Sequence, residues 1–158
     1  MMNQSDSPGY KALYKLGGIA AFIVVALTIG EIITFAFFPQ PGTVSGWFKL
    51  FQGSILIGLL NFWVLELPMY AMFIFVFLAL YILIRKSNVG RMTIALIFVL
   101  IGAGIFFATN NPFTMLSLSN QYAAAKTEAQ QSMIEAAGHA VLANTGQRSV
   151  GGFNIALF

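Results

Sequence analysis

The chain has 158 residues, of which 58% are hydrophobic and only 8% charged, against roughly 45–50% apolar and about 25% charged in an ordinary soluble domain. Sixteen phenylalanines and no cysteine exclude a disordered segment, a disulfide scaffold, thiolate metal sites and cysteine nucleophiles, and leave lipid as much of the solvent. The formal charge is +3, from eight Lys and Arg against five Asp and Glu, but the basic residues are scattered along the chain, so no nucleic acid partner is expected.

The first predicted element runs from Leu16 to Phe38, long enough to cross a hydrocarbon core of about 30 Å. Lys11 and Lys15 precede it as they would a signal peptide. The run is nevertheless too long for one, contains Glu31 and ends in Phe37-Phe38-Pro39-Gln40-Pro41-Gly42 without a cleavage pattern. It reads as an uncleaved span. From Ser45 to Leu60, Trp47, Phe51, Ile55 and Leu59 recur every four residues opposite Ser45, Lys49 and Gln52, which predicts an amphipathic helix lying in the membrane interface. The polar stripe fades after Gln52, and a short span is the alternative.

A second span is expected over Phe62–Ile84, with Trp63 and Tyr81 as interfacial aromatics and Arg85-Lys86 beyond it. The loop to Arg91 carries Ser87, Asn88 and Gly90. A third span, Met92–Ala108, ends at Thr109-Asn110-Asn111-Pro112. A helical hairpin follows over 113–144: Met115, Leu118 and Tyr122 fall at helical spacing, and Thr127-x-x-Gln130 has the capping-box form opening a second helix that ends near Asn144-Thr145-Gly146. In that helix Ala129, Met133, Ala136, Ala140 and Ala143 share a weakly apolar face suited to the membrane or a partner. The chain turns apolar again from Val150 to Phe158, too short a run to cross, so a fourth span is expected to have begun and the polypeptide to continue past Phe158.

Placing the N-terminus and the Arg85–Arg91 loop in the cytoplasm sets Lys11, Lys15, Arg85, Lys86 and Arg91 inside against Lys49, Lys126 and Arg148 outside. That orientation requires 45–60 not to cross. The expected location is the plasma membrane, with several passes, and the hairpin faces outward.

Phe77-Leu78-Ala79-Leu80-Tyr81 leading into Arg85-Lys86, and above all Asn111 to Ala125 with its Ser-Leu-Ser-Asn-Gln-Tyr-Ala-Ala-Ala run at 117–125 and Thr127-Glu128-Ala129-Gln130, resemble a group of small prokaryotic multi-span membrane proteins of unknown function. The resemblance covers about Gly46 to the end. It implies a multi-span helical fold with further spans after Phe158, and it brings no enzymatic activity.

Few polar groups are candidates for chemistry. Glu31 in the first span and Glu66 early in the second lie at similar depth, so a proton or cation site is one reading, with Thr28, Thr34 and Asn61 as neighbours. The plainer reading is that both acids reach water, or as neutral acids bond backbone carbonyls and set helix packing. Pro68 removes a helix hydrogen bond and frees the Val64 carbonyl, which would complete a cation cage, although a simple kink near a helix start is the more ordinary role. Glu135 and His139 share a helix face yet make only half a metal site. Ser117, Ser119 and Ser132 have no nucleophile-elbow glycines around them, and Gly102-Ala103-Gly104 lies in an apolar span without a phosphate-loop context. No enzyme, cofactor or metal is expected.

The most abundant signal is small residues spaced by four, Gly17 with Ala21, Ala26 with Gly30, and Gly104 with Ala108, which let helices approach closely. The expected fold is an all-α integral membrane protein, a bundle of about four or more transmembrane helices with three complete and one begun. Its expected surroundings are the lipid bilayer and other membrane subunits. Two functions follow from these features: a non-catalytic accessory or scaffold subunit, or a small transporter coupled to protons or cations through Glu31 and Glu66.

Overall fold

A computed structural model describes residues 8–110 and 112–157, with side chains described over 9–110 and 112–144. Seven helices follow in order, with no strand among the described residues: α1 (Pro8–Phe37), α2 (Val44–Gly53), α3 (Ile55–Asn61), α4 (Glu66–Ile84), α5 (Val89–Thr109), α6 (Pro112–Ala124) and α7 (Glu128–Leu157). Of these, α1, α4 and α5 are long and apolar enough to cross a membrane. At 1.5 Å per residue, the 30 residues of α1 reach about 45 Å.

The spans form a row in which α4 packs between α1 and α5, and α7 packs along α5. Gly17 of α1 lies against Ala79 and Phe75 of α4, whereas Gly30 lies near Leu65 and Thr28 meets Met69, so α1 and α4 are antiparallel. Tyr70 stacked on Phe106 and Tyr81 beside Thr93 make α4 and α5 antiparallel in turn. Both ends of the 38–65 connection therefore sit at one end of the bundle, and α2 and α3 do not cross. We call that end the cap end and the opposite one the Arg85 end. Within the spans Thr28, Thr34, Thr93 and Thr109 each donate to the carbonyl four residues back, at 2.8–2.9 Å, which satisfies a hydroxyl where no water competes.

The cap holds the tightest core. Val44, Trp47, Phe48, Phe51, Phe62 and Met115 are buried together, and each fully buried Phe or Met contributes about 1.5–3 kcal/mol. Trp47 meets Phe62 edge to face with centroids 4.9 Å apart, and Phe48 lies against Tyr122 at 5.0 Å. Ser119 Oγ donates to the Phe48 carbonyl at 3.0 Å, tying α6 to α2. The run at 117–125 is thus the segment by which α6 docks. Gly138 brings α7 against Val44 and Phe48, where a Cβ would have no room.

Several boundaries differ from expectation for physical reasons. The 45–60 helix is two helices, because Ser54 is extended at φ −158° and ψ 112°, closing α2 and capping α3 by accepting from Ile57 N–H. The apolar stripe is divided accordingly: Trp47 and Phe51 face the cap core, whereas Ile55 and Leu56 are exposed. The apolar side of α2 is covered by α6 and α7, not by lipid. The second span opens at Glu66 and not Phe62, since residues 62–65 form a turn in which Trp63 has φ 55°. The third runs Val89–Thr109, started by Asn88 accepting from Arg91 N–H.

The capping box at Thr127 is present, with Gln130 N–H donating to Thr127 Oγ1 while the Gln130 side chain accepts from Lys126 N–H rather than from that of Thr127. The helix it opens does not end near Asn144 to Gly146; it continues unbroken to Leu157, with Gly146 helical instead of a left-handed terminator. The expected fourth span at Val150 is therefore the continuation of α7. The side chains of Arg148 and of the 150–158 run, and Asn111 altogether, lie outside the described residues. The face formed by Ala129, Met133, Ala136, Ala140 and Ala143 is exposed, and α7 packs instead through Ile134, Gly138, Val141 and Leu142.

Candidate functional site at the cap end

Antiparallel packing sets Glu31, near the end of α1, at the level of Glu66, the first residue of α4, since Gly30 lies near Leu65 and Thr28 meets Met69. Tyr70 stands one turn further along α4. Its ring stacks on Phe106 with centroids 3.7 Å apart and planes 3° from parallel, which fixes the start of α4 against the end of α5. There the C-cap residue Asn110, 3% exposed, directs Nδ2 to the Trp63 carbonyl at 3.3 Å and to Glu66 Oε2 at 3.5 Å. One carboxamide thus joins the turn before α4, the acid that opens it and the end of α5.

Trp63 holds the left-handed backbone that L side chains seldom adopt, at a cost of about 1–3 kcal/mol. Contacts with Phe62 at 5.3 Å and Trp47 at 6.3 Å, and the bond from Asn110 to its carbonyl, hold it there. The turn sets Asn61, which is fully buried, two residues before Trp63. The Asn61 carbonyl accepts from Gln40 Nε2 at 3.1 Å.

Among the described residues, four buried polar atoms at this end find no hydrogen-bond partner: Glu31 Oε1, both side-chain atoms of Asn61, and Asn110 Oδ1. Each such atom costs about 1–3 kcal/mol. Two carboxylates in a low-dielectric setting also repel, and a shared proton or a bound cation removes that cost. Carboxylate and carboxamide oxygens are hard donors, suited to a proton or a hard cation and unsuited to metals that favour thiolate.

Of the residues singled out from sequence, Glu31 and Glu66 are brought together, and Asn61 is buried at the same end. Thr34 is buried, but its hydroxyl donates to the Gly30 carbonyl of its own helix at 2.8 Å. Thr28 likewise bonds Val24 and meets Met69 Sδ at 3.4 Å. The Val64 carbonyl is not freed by Pro68, because Leu67 N–H donates to it at 3.2 Å; Pro68 stands in the first turn of α4, where a missing N–H costs little. His139 is exposed on α7 and Glu135 half-buried. Among the described residues no three of His, Cys, Asp and Glu gather as a metal set.

Gly17 is buried at the α1–α4 contact and Ala21 half-buried beside it, while Ala26 is exposed and Gly30 touches Leu65 only loosely. Gly104 faces open space and Ala108 is exposed; Gly102 and Ala103 are the buried small residues of α5. The expected Gly104–Ala108 contact is therefore displaced to the other side of the helix. Asn110, Tyr70 and the Trp63 turn are the site members that sequence reasoning missed. An Asn directly after an apolar run was the available signal, and it also reads as a plain span terminator. No protein-family model, curated protein or solved structure matches the chain.

Proposed function

We propose that the chain is a non-enzymatic membrane protein that holds a proton or a hard cation between Glu31 and Glu66 at the cap end. The observation supporting this reading is the set of orphaned buried polar atoms on Glu31, Asn61 and Asn110 beside two carboxyls set at one level by the packing of α1 on α4. A site that only fixed helix packing would close its hydrogen bonds internally. The plasma membrane is the proposed location, with the N-terminus and the Arg85–Arg91 loop cytoplasmic on the Lys and Arg bias.

The test is thermal unfolding of the full chain in nanodiscs, titrated with Na⁺, K⁺, Ca²⁺ or acid, followed by ion flux in proteoliposomes. A ligand at a hundred times its Kd stabilises by about 2.7 kcal/mol, so one of these titrations raises the wild-type midpoint. The variant Glu31→Gln with Glu66→Gln does not respond. A double variant that responds like wild type ends this reading.

The accessory or scaffold reading is favoured by a separate observation. No residue of α4 is fully buried although α1 and α5 both pack on it, which leaves apolar surface for lipid or partner spans. Extraction in mild detergent with intact-mass analysis tests it: stoichiometric membrane partners support the subunit role, and elution alone removes it.

A further inference from the structure

At the Arg85 end the first turns of α1, the end of α4 and the start of α5 converge. Arg85 Nη2 donates to the Tyr10 hydroxyl, and the guanidinium lies 5.3 Å from the Tyr10 ring centroid and 5.8 Å from that of Tyr81. Tyr81 in turn reaches Thr93 of α5, Oη to Oγ1 at 3.5 Å. These contacts hold the guanidinium in one place at the rim of the hydrocarbon layer, where aromatic residues with polar tips are favoured.

A pocket of about 270 Å³ opens beside it, lined by Tyr10, Tyr14, Tyr81, Arg85 and Lys86, with Val89 at its edge. Arginine carries five N–H donors in a fork that matches phosphate oxygens, and the hydroxyls of Tyr10 and Tyr81 that it meets leave part of that fork for a ligand. Among the described residues no carboxylate acts on Arg85. Lys11 and Lys15 of α1 and Arg91 of α5 are exposed near the same end, so the local field favours an anion. Ile82 and Val89 line the apolar side of the pocket, and Val89 is 59% exposed, an apolar flank open to acyl chains.

We propose that this pocket binds a phosphate group, with the headgroup of an anionic phospholipid as its source: Arg85 takes the phosphate oxygens, the tyrosine hydroxyls supply further donors, and Ile82 and Val89 lie along the acyl chains. Basic pockets between transmembrane helices recognise such headgroups by this chemistry. The site is distinct from the cap-end cluster, which lies at the other end of α4, and it does not depend on the cation reading.

The experiment uses the full chain in nanodiscs of phosphatidylcholine with graded phosphatidylglycerol, with bound lipid read by native mass spectrometry and stability by thermal unfolding. Wild type retains phosphatidylglycerol over phosphatidylcholine. Arg85→Gln lowers that preference about tenfold, the loss expected for a charge-assisted bond, and Tyr10→Phe, which keeps the ring, lowers it by a smaller factor. Arg85→Lys, which retains the charge and loses the fork, falls between wild type and Arg85→Gln and serves where the latter fails to fold. A parallel arm adds inorganic phosphate in pure phosphatidylcholine. Arg85-dependent stabilisation there, without any phosphatidylglycerol preference, would keep the phosphate site and overturn its lipid source. Equal retention of the two lipids with no response to phosphate, or an unchanged preference in both Arg85 variants, would overturn the proposal.

Discussion

The cap and the span layer are packed in different ways. In the cap, Phe48, Phe51, Phe62 and Met115 are at most 1% exposed, and α2, α3, α6 and α7 converge on them. In the span layer α4 has neighbours on two sides and still buries no residue completely. Apolar burial is the driving force in the first region. Lipid removes that force in the second and leaves close approach of backbones and internally satisfied hydroxyls as the organising contacts. The cap therefore reads like a small soluble core placed on a membrane bundle, and the candidate polar site lies where the two meet.

The contrast breaks first at Phe62. It is fully buried and meets the rings of Trp47, Phe51 and Trp63, so Phe62→Ala removes a large side chain from the one tightly packed core and loosens the turn that places Trp63. The expected loss is about 3–5 kcal/mol, read as a lowered thermal unfolding midpoint in detergent, whereas Phe22→Ala, 81% exposed on α1, stays within about 0.5 kcal/mol of wild type. Equal losses at the two positions would mean that the Phe22 face is covered by protein, and the division between cap and spans would fail.

Much of this fold is legible in the residues. The three spans, the capping box at Thr127 and the non-crossing 45–60 region follow from hydropathy, length and cap chemistry, all of which act within a few residues. The break at Ser54 does not, because Trp47, Phe51, Ile55 and Leu59 continue a perfect stripe through it and only the cap core selects which of them turn inward. The continuation of α7 past Gly146 is hidden for a similar reason: packing along α5 overrides a residue that would otherwise end a helix. At the candidate site both acids are visible in the sequence, whereas Asn110 is brought to Glu66 by tertiary packing across 44 positions, a relation no local pattern encodes.

Among the spans, the next largest effect is expected at Gly17. A Cβ there would lie 2.4 Å from Ala79 Cβ and 3.3 Å from the Phe75 carbonyl oxygen, and one of those neighbours is backbone. Gly17→Ala therefore forces α1 away from α4, at a cost of about 1–3 kcal/mol. The same shift loosens the register that brings Glu31 to Glu66, so a cation response at the cap end should weaken with it. Retention of both stability and response would show that α1 slides on α4 without loss, and the small-residue contact would not be what holds the spans.

The smallest expected effect is at Gly104, and it bears most directly on what surrounds the bundle. A Cβ at Gly104 meets no atom within 4 Å, and the position is helical, so Gly104→Ala gains helix propensity and should change stability by no more than about +0.4–1 kcal/mol in the favourable direction. That holds if lipid covers this face of α5. If a partner span packs there through Gly104 and Ala108, the isolated chain still gains stability while the extracted complex dissociates, because the added methyl separates the two helices. The two measurements on one variant, unfolding of the purified chain and co-elution from native membrane, thus separate a lipid-facing helix from a subunit interface. Lowered stability of the purified chain itself would instead mean that protein within the same molecule already occupies that face.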